Sequence, residues 1–122
     1  MKKILIAEDD KFLANAYQMK FAKFGYEIFV AVDGAELIKQ LDVSKPDLII
    51  LDLVMPTKDG FSVLQEIRRN MKWKSIPVIV VTNLDQEEDV KKCQELGISD
   101  YIMKNKMSLE RLHDKIRAVI GE

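Results

Sequence analysis

Short apolar runs alternate along this chain with longer stretches in which apolar residues recur every three or four positions. The runs Ile4 to Ala7, Glu27 to Val32, Leu48 to Leu51, Val78 to Val81 and Tyr101 to Met103 are rich in β-branched or aromatic residues and predict five strands. The stretches between and after them predict five helices. The first follows Asp10, with Leu13, Ala16, Tyr17, Phe21 and Phe24 on one face and Gly25 as its stop. Asp33-Gly34 opens the second, with Leu37, Ile38 and Leu41 inward, and Lys45-Pro46 leads into the third strand. Asp59-Gly60 opens the third helix, whose Phe61, Leu64 and Ile67 are spaced to face a sheet. The fourth runs from about Gln86 to Leu96, is acidic in its first turn and stops before Gly97; its apolar face is thin, only Val90, Cys93 and Leu96. The last begins near Ser108, a good N-cap, and carries Leu109, Leu112, Ile116 and Val119. Five such βα units predict the α/β class, with a parallel sheet and helices on both faces. Right-handed crossovers then favour a flavodoxin-like strand order of 2-1-3-4-5, with the switch point between strands one and three.

The 122 residues fit one domain spanning 1–122, and neither a repeat nor a further output domain is expected within them. Hydrophobic residues make up 48% and charged residues 32%, an ordinary globular balance, and the formal charge of −1 provides no footprint for nucleic acid or an anionic membrane. No apolar stretch approaches the roughly 20 residues of a membrane helix, and the segment after Met1-Lys2-Lys3 is too short for a signal peptide. The expected location is the cytoplasm. Cys93, the single cysteine, has no disulfide partner and no zinc-ligand companions, so it reads as a small buried hydrophobe. The methionines read as core filler.

Four of the predicted strands deliver a polar residue of a different kind: Glu8 and Asp9, then Asp52, Thr82 and Lys104. In a parallel sheet all of these emerge at the carboxyl edge, where open α/β sheets place their ligands. Three carboxylates, a hydroxyl and an ammonium suit a divalent-cation pocket holding one carboxylate that can be phosphorylated. Glu8, Asp9 and Asp10 near Asp52 repel one another unless a cation sits among them, and a hard oxygen-seeking ion such as Mg2+, or Mn2+, suits the set. The same tripeptide also reads as the acidic start of a helix. Taken singly, Thr82 is a β-former and Lys104 a solvated charge; the combination gives them meaning. His113 reads as solvated surface, and Trp73, before Pro77, as a cover over a loop.

The segment Leu51-Asp52-Leu53-Val54-Met55-Pro56-Thr57-Lys58-Asp59-Gly60, taken with Glu8, Asp9, Thr82 and Lys104, resembles the response-regulator receiver domain of two-component signalling, over essentially residues 2 to 120. The resemblance implies that Asp52 accepts a phosphoryl group from a phosphohistidine on a sensor histidine kinase or phosphotransfer protein. It implies that Asp9 and Asp52 bind the metal directly, Glu8 through water, and Val54 through its backbone carbonyl. Thr82 and Lys104 would then bind the phosphoryl oxygens, and Tyr101 would reorient with Thr82. A downstream partner would dock on the face of the fourth helix, fifth strand and fifth helix, and the protein would be a phosphoacceptor rather than a turnover enzyme.

Some positions depart from the family pattern. Asn105 follows Lys104 where most receivers have a cis proline; a non-proline cis bond costs about 2.5 to 4 kcal/mol, so a trans bond is expected and the Lys104 loop could be arranged differently. Asn83 replaces a small residue and could narrow access to Asp52. Val54 and Leu84 occupy positions that tune dephosphorylation, and neither side chain can hydrogen-bond an attacking water, so a persistent phosphoryl group is expected. Val54 also argues against a haloacid-dehalogenase-type phosphohydrolase, which needs an acid two residues beyond its nucleophile. A flavin-binding protein of this fold would need a phosphate-cradling loop where Glu8-Asp9-Asp10 stands. A receiver that has lost phosphorylation and acts only as an interaction module is the remaining alternative.

Overall fold

The computed structural model describes residues 1–121. Five parallel strands, β1 (Lys3–Ala7), β2 (Glu27–Ala31), β3 (Leu48–Leu51), β4 (Val78–Thr82) and β5 (Asp100–Met103), form one sheet in the order β2-β1-β3-β4-β5. The crossovers carry α1 (Lys11–Lys23), α2 (Gly34–Ser44), α3 (Gly60–Arg69) and α4 (Glu87–Leu96), and α5 (Leu109–Ile120) follows β5. The expected fold and strand order are therefore found, with boundaries shifted by a residue or so: β2 stops at Ala31, leaving Val32 outside and half exposed, and β5 begins at Asp100.

The sheet divides its side chains by parity, because successive residues of a strand point to opposite faces. Leu5, Ala7, Ile49, Leu51, Val78 and Val80 face α2, α3 and α4 together with Leu37, Leu41, Val63, Leu64, Ile67 and Cys93. Ile4, Ile6, Leu48, Ile50, Ile79 and Val81 face α1 and α5 together with Tyr17, Phe21, Leu112 and Ile116. Both faces are covered, which is why the central strands read as unbroken apolar runs.

Several expectations are corrected. Phe24 lies beyond the body of α1, as its C-cap, and is 41% exposed; Ala14 is buried in its place. On α3 the fully buried residue missed by the spacing argument is Val63, while Phe61 is only partly buried and lies under the Lys92 ammonium, 4.5 Å from its ring centroid. Met1, Met19 and Met71 are exposed rather than core, whereas Met55 and Met107 are partly buried against the two clusters, whose centres are filled mainly by Ile, Leu and Val. His113 is not solvated surface but stacks on Phe24, ring centroids 3.8 Å apart, with Tyr26 edge-on, and burial lowers its pKa. Trp73 does close a loop and also joins the core, its Nε1 donating to Asp42 Oδ1 at 3.1 Å. Cys93 is fully buried, as expected.

Candidate functional site

The register of the sheet builds the site. Ala7 pairs with Leu51, so the residues that follow, Glu8 and Asp52, leave β1 and β3 side by side. Thr82 closes β4 opposite Met103 of β5, and Lys104 follows at once. Gly60 lets a loop close over this edge. A Cβ on Gly60 would lie 2.5 Å from Leu53 Cα and 2.6 Å from the Asp52 carbonyl oxygen, so α3 can start against β3 only with glycine there.

Glu8, Asp9 and Asp52 each present a carboxylate oxygen within 4.8 Å of the others, and these three could hold a metal ion. The donors are all oxygens, and Asp9 is exposed while Glu8 and Asp52 are buried, so the cluster suits a hard cation that keeps part of its water. Asp10 does not join them. Its side chain accepts from the backbone N–H groups of Phe12 and Leu13 as the N-cap of α1, so the helix-start reading and the cation-site reading hold for different members of one tripeptide.

Lys104 bridges the buried carboxylates. Its Nζ donates to Asp52 Oδ2 at 2.8 Å and to both carboxylate oxygens of Glu8 at 2.8 and 2.9 Å. The other Asp52 oxygen accepts from the Val54 backbone N–H at 3.1 Å. Burial raises the pKa of Glu8, an effect that its bond from Lys104 only partly offsets. For Lys104 burial acts to lower the pKa, but the bonds to Asp52 and Glu8 together outweigh it, so the ammonium is held more firmly. Three carboxylates against one ammonium leave the pocket net negative, which is the condition that favours a cation.

Thr82 is fully buried, with its Oγ1 accepting a long bond of 3.5 Å from Leu84 N–H. Tyr101 donates its hydroxyl to the Leu84 carbonyl at 2.6 Å, tying β5 to the loop after β4. The Lys104–Asn105 bond is trans, as expected, and the lysine nonetheless reaches Asp52. Asn83 has its Oδ1 engaged by Asn105 N–H at 2.9 Å. Val54 is 59% exposed beside Asp52. Sequence reasoning placed Tyr17 only in the core, yet its buried hydroxyl has no hydrogen-bond partner among the described residues; burial, then the charges of Glu8 and Asp52, push its pKa up. Nothing in the apolar spacing of α1 distinguishes it.

A family model described as the response regulator receiver domain matches residues 4–117. The chain is 32% identical over 119 residues to the alkaline phosphatase synthesis transcriptional regulatory protein PhoP of Bacillus subtilis (strain 168), covering 98% of this chain and 48% of that protein. It is 36% identical over 119 residues to the probable transcriptional regulator ycf27 of Galdieria sulphuraria, covering 98% of this chain and 45% of that protein. The chain thus spans about half the length of these curated relatives. Among solved structures, the Francisella response regulator 1452 receiver domain superposes with a TM-score of 0.89 at 30% identity, covering 99% of this chain and 98% of the other. The BeF3-activated N-terminal receiver domain of Klebsiella pneumoniae RstA gives 0.89 at 27%, covering 99% and 100%; the Mn(2+)-bound form of response regulator Rcp1 gives 0.80 at 33%, covering 99% and 91%.

Proposed function

The chain belongs to the response regulator receiver family, and from that membership we propose that Asp52 accepts a phosphoryl group from the phosphohistidine of a sensor kinase or phosphotransfer protein and thereby switches a partner or output domain. The observation that carries this reading is the Asp52 carboxylate itself, buried at the sheet edge, with one oxygen on Lys104 and the other on the Val54 N–H. One carboxylate oxygen attacks phosphorus, the P–N bond to the donor imidazole breaks, and the imidazole leaves with a proton. Lys104 offers its positive charge to a phosphoryl oxygen, and the Thr82 hydroxyl turns toward another.

Glu8, Asp9, Asp52 and the Val54 carbonyl would hold Mg2+ or Mn2+, whose charge offsets the repulsion between Asp52 and the incoming phosphate. A Mn(2+)-bound form of Rcp1 and a BeF3-activated form of the RstA receiver domain support a divalent metal and a phosphoryl group as what this domain takes up. Reorientation of Thr82 would redistribute the loop after β4, α4 and Tyr101 between two arrangements, and the face of α4, β5 and α5 would carry the change to a partner. α4 suits that role: its cap residue, Gln86, makes no side-chain capping bond and Cys93 alone is fully buried. The reading includes a cytoplasmic location and no catalytic turnover beyond gain and loss of the phosphoryl group.

The test is thermal stability with Mg2+ and then with beryllofluoride, in wild type and Asp52→Asn. A ligand of the folded state raises stability by mass action. Mg2+ should stabilise the wild type, and beryllofluoride should add an increment that Asp52→Asn abolishes. No response to either at saturating concentration would leave an interaction module of receiver shape.

A further inference from the structure

Lys104 opens a one-turn 3-10 helix, Lys104–Lys106, directly after β5. The first N–H groups of such a turn have no acceptor inside it. Met103, in the cap position, makes no side-chain capping bond, so the turn carries no cap of its own. Asn83, 22 residues earlier, supplies one: its Oδ1 accepts from the Asn105 N–H at 2.9 Å. The amide must present its oxygen here, since the backbone group is a donor. Proline at 105 would lack that N–H, so the side chain at 83 and the residue at 105 form a matched pair.

The placement of this bond gives it a consequence. Asn83 directly follows Thr82, and Asn105 directly follows Lys104, whose Nζ spans Glu8 and Asp52. A second bond, from the Tyr101 hydroxyl to the Leu84 carbonyl, joins the same two segments on the other side. Without Asn83 the Asn105 N–H loses its protein acceptor, and the start of the turn, with the lysine stem on it, is held less tightly.

We infer that Asn83 is a positioning residue that holds the Lys104 ammonium over Asp52 by capping the turn in which Lys104 lies. The inference rests on Asp52 being the phosphoacceptor. Asn83 touches no reacting atom, and it acts through the backbone of Asn105.

The experiment is a double-mutant cycle on beryllofluoride affinity at saturating Mg2+, with wild type, Asn83→Ala, Lys104→Ala and the double variant. Mg2+ affinity and exchange of the Asn105 amide are followed alongside. Asn83→Ala is expected to weaken beryllofluoride binding about threefold to tenfold, the equivalent of one net hydrogen bond. It should leave Mg2+ affinity unchanged, speed exchange of the Asn105 amide, and add no loss in the Lys104→Ala background. Unaltered beryllofluoride binding, an equal loss with or without Lys104, or a parallel loss of Mg2+ affinity would overturn it. Failure of the wild type to bind beryllofluoride would overturn the phosphoacceptor reading itself, and the inference with it.

Discussion

Replacing Lys104 by methionine keeps most of the apolar stem and removes the charge that spans the two buried carboxylates. Glu8 is 2% exposed and Asp52 5%, so neither recovers full hydration when its partner goes. Breaking a buried pair in this way costs about 3–5 kcal/mol. A proton sets a ceiling on that cost. Placing one at pH 7 on a carboxyl whose ordinary value is 4.5 costs about 3.4 kcal/mol at 1.36 kcal/mol per pH unit, and less where burial has already raised the value, as for Glu8. The expected loss is therefore about 2–3 kcal/mol without metal, or a fall in Tm of roughly 10 °C for a domain of this size.

The sign of the pH dependence follows from Glu8. Its pKa is higher folded than unfolded, so the native state binds more protons and loses stability as pH rises from 4.5 through the raised value. Lys104→Met removes a bond that opposes this shift, so the value climbs and the window of loss extends upward. The deficit against wild type should be larger at pH 7 than at pH 5, and saturating Mg2+ should restore part of it at pH 7. Urea denaturation at both pH values, with chelator and then with Mg2+, measures each quantity. A deficit below about 1 kcal/mol at pH 7, or one that does not change between pH 7 and pH 5, would refute the reasoning.

Three further outcomes are expected. Val54→Asn places an amide beside Asp52 where an exposed apolar side chain now stands, so the decay of phosphorylated protein should quicken; an unchanged rate in a phosphate-release assay would count against a tuning role. Gly60→Ala drives a Cβ against Leu53 Cα and the Asp52 carbonyl, and should cost about 1–3 kcal/mol in urea denaturation while weakening beryllofluoride binding. The Cys93 thiol, whose pKa burial and then Asp89 push up to about 11, should resist a thiol reagent at pH 8 until urea opens the fold, as a colorimetric thiol titration would show.

Much of this molecule was legible in one dimension. Periods of two and of three to four residues record which side of a local element is buried, so five strands, five helices and their α/β class follow from the order of Ile, Val and Leu. The carboxyl-edge rule then gathers Glu8, Asp9, Asp52, Thr82 and Lys104, because parallel strands all end on the same side. Local pattern could not show which polar atoms meet. Lys104 finds Glu8 across 96 residues, and Asn83 finds Asn105 across 22, through sheet register and the path of two loops. Nor could it show that His113 is covered or that Trp73 joins the core, since these depend on Phe24 and Asp42 arriving from other segments. Apolar spacing encodes burial along a single element, whereas the partners of a charge or an amide are chosen by how elements distant in sequence converge.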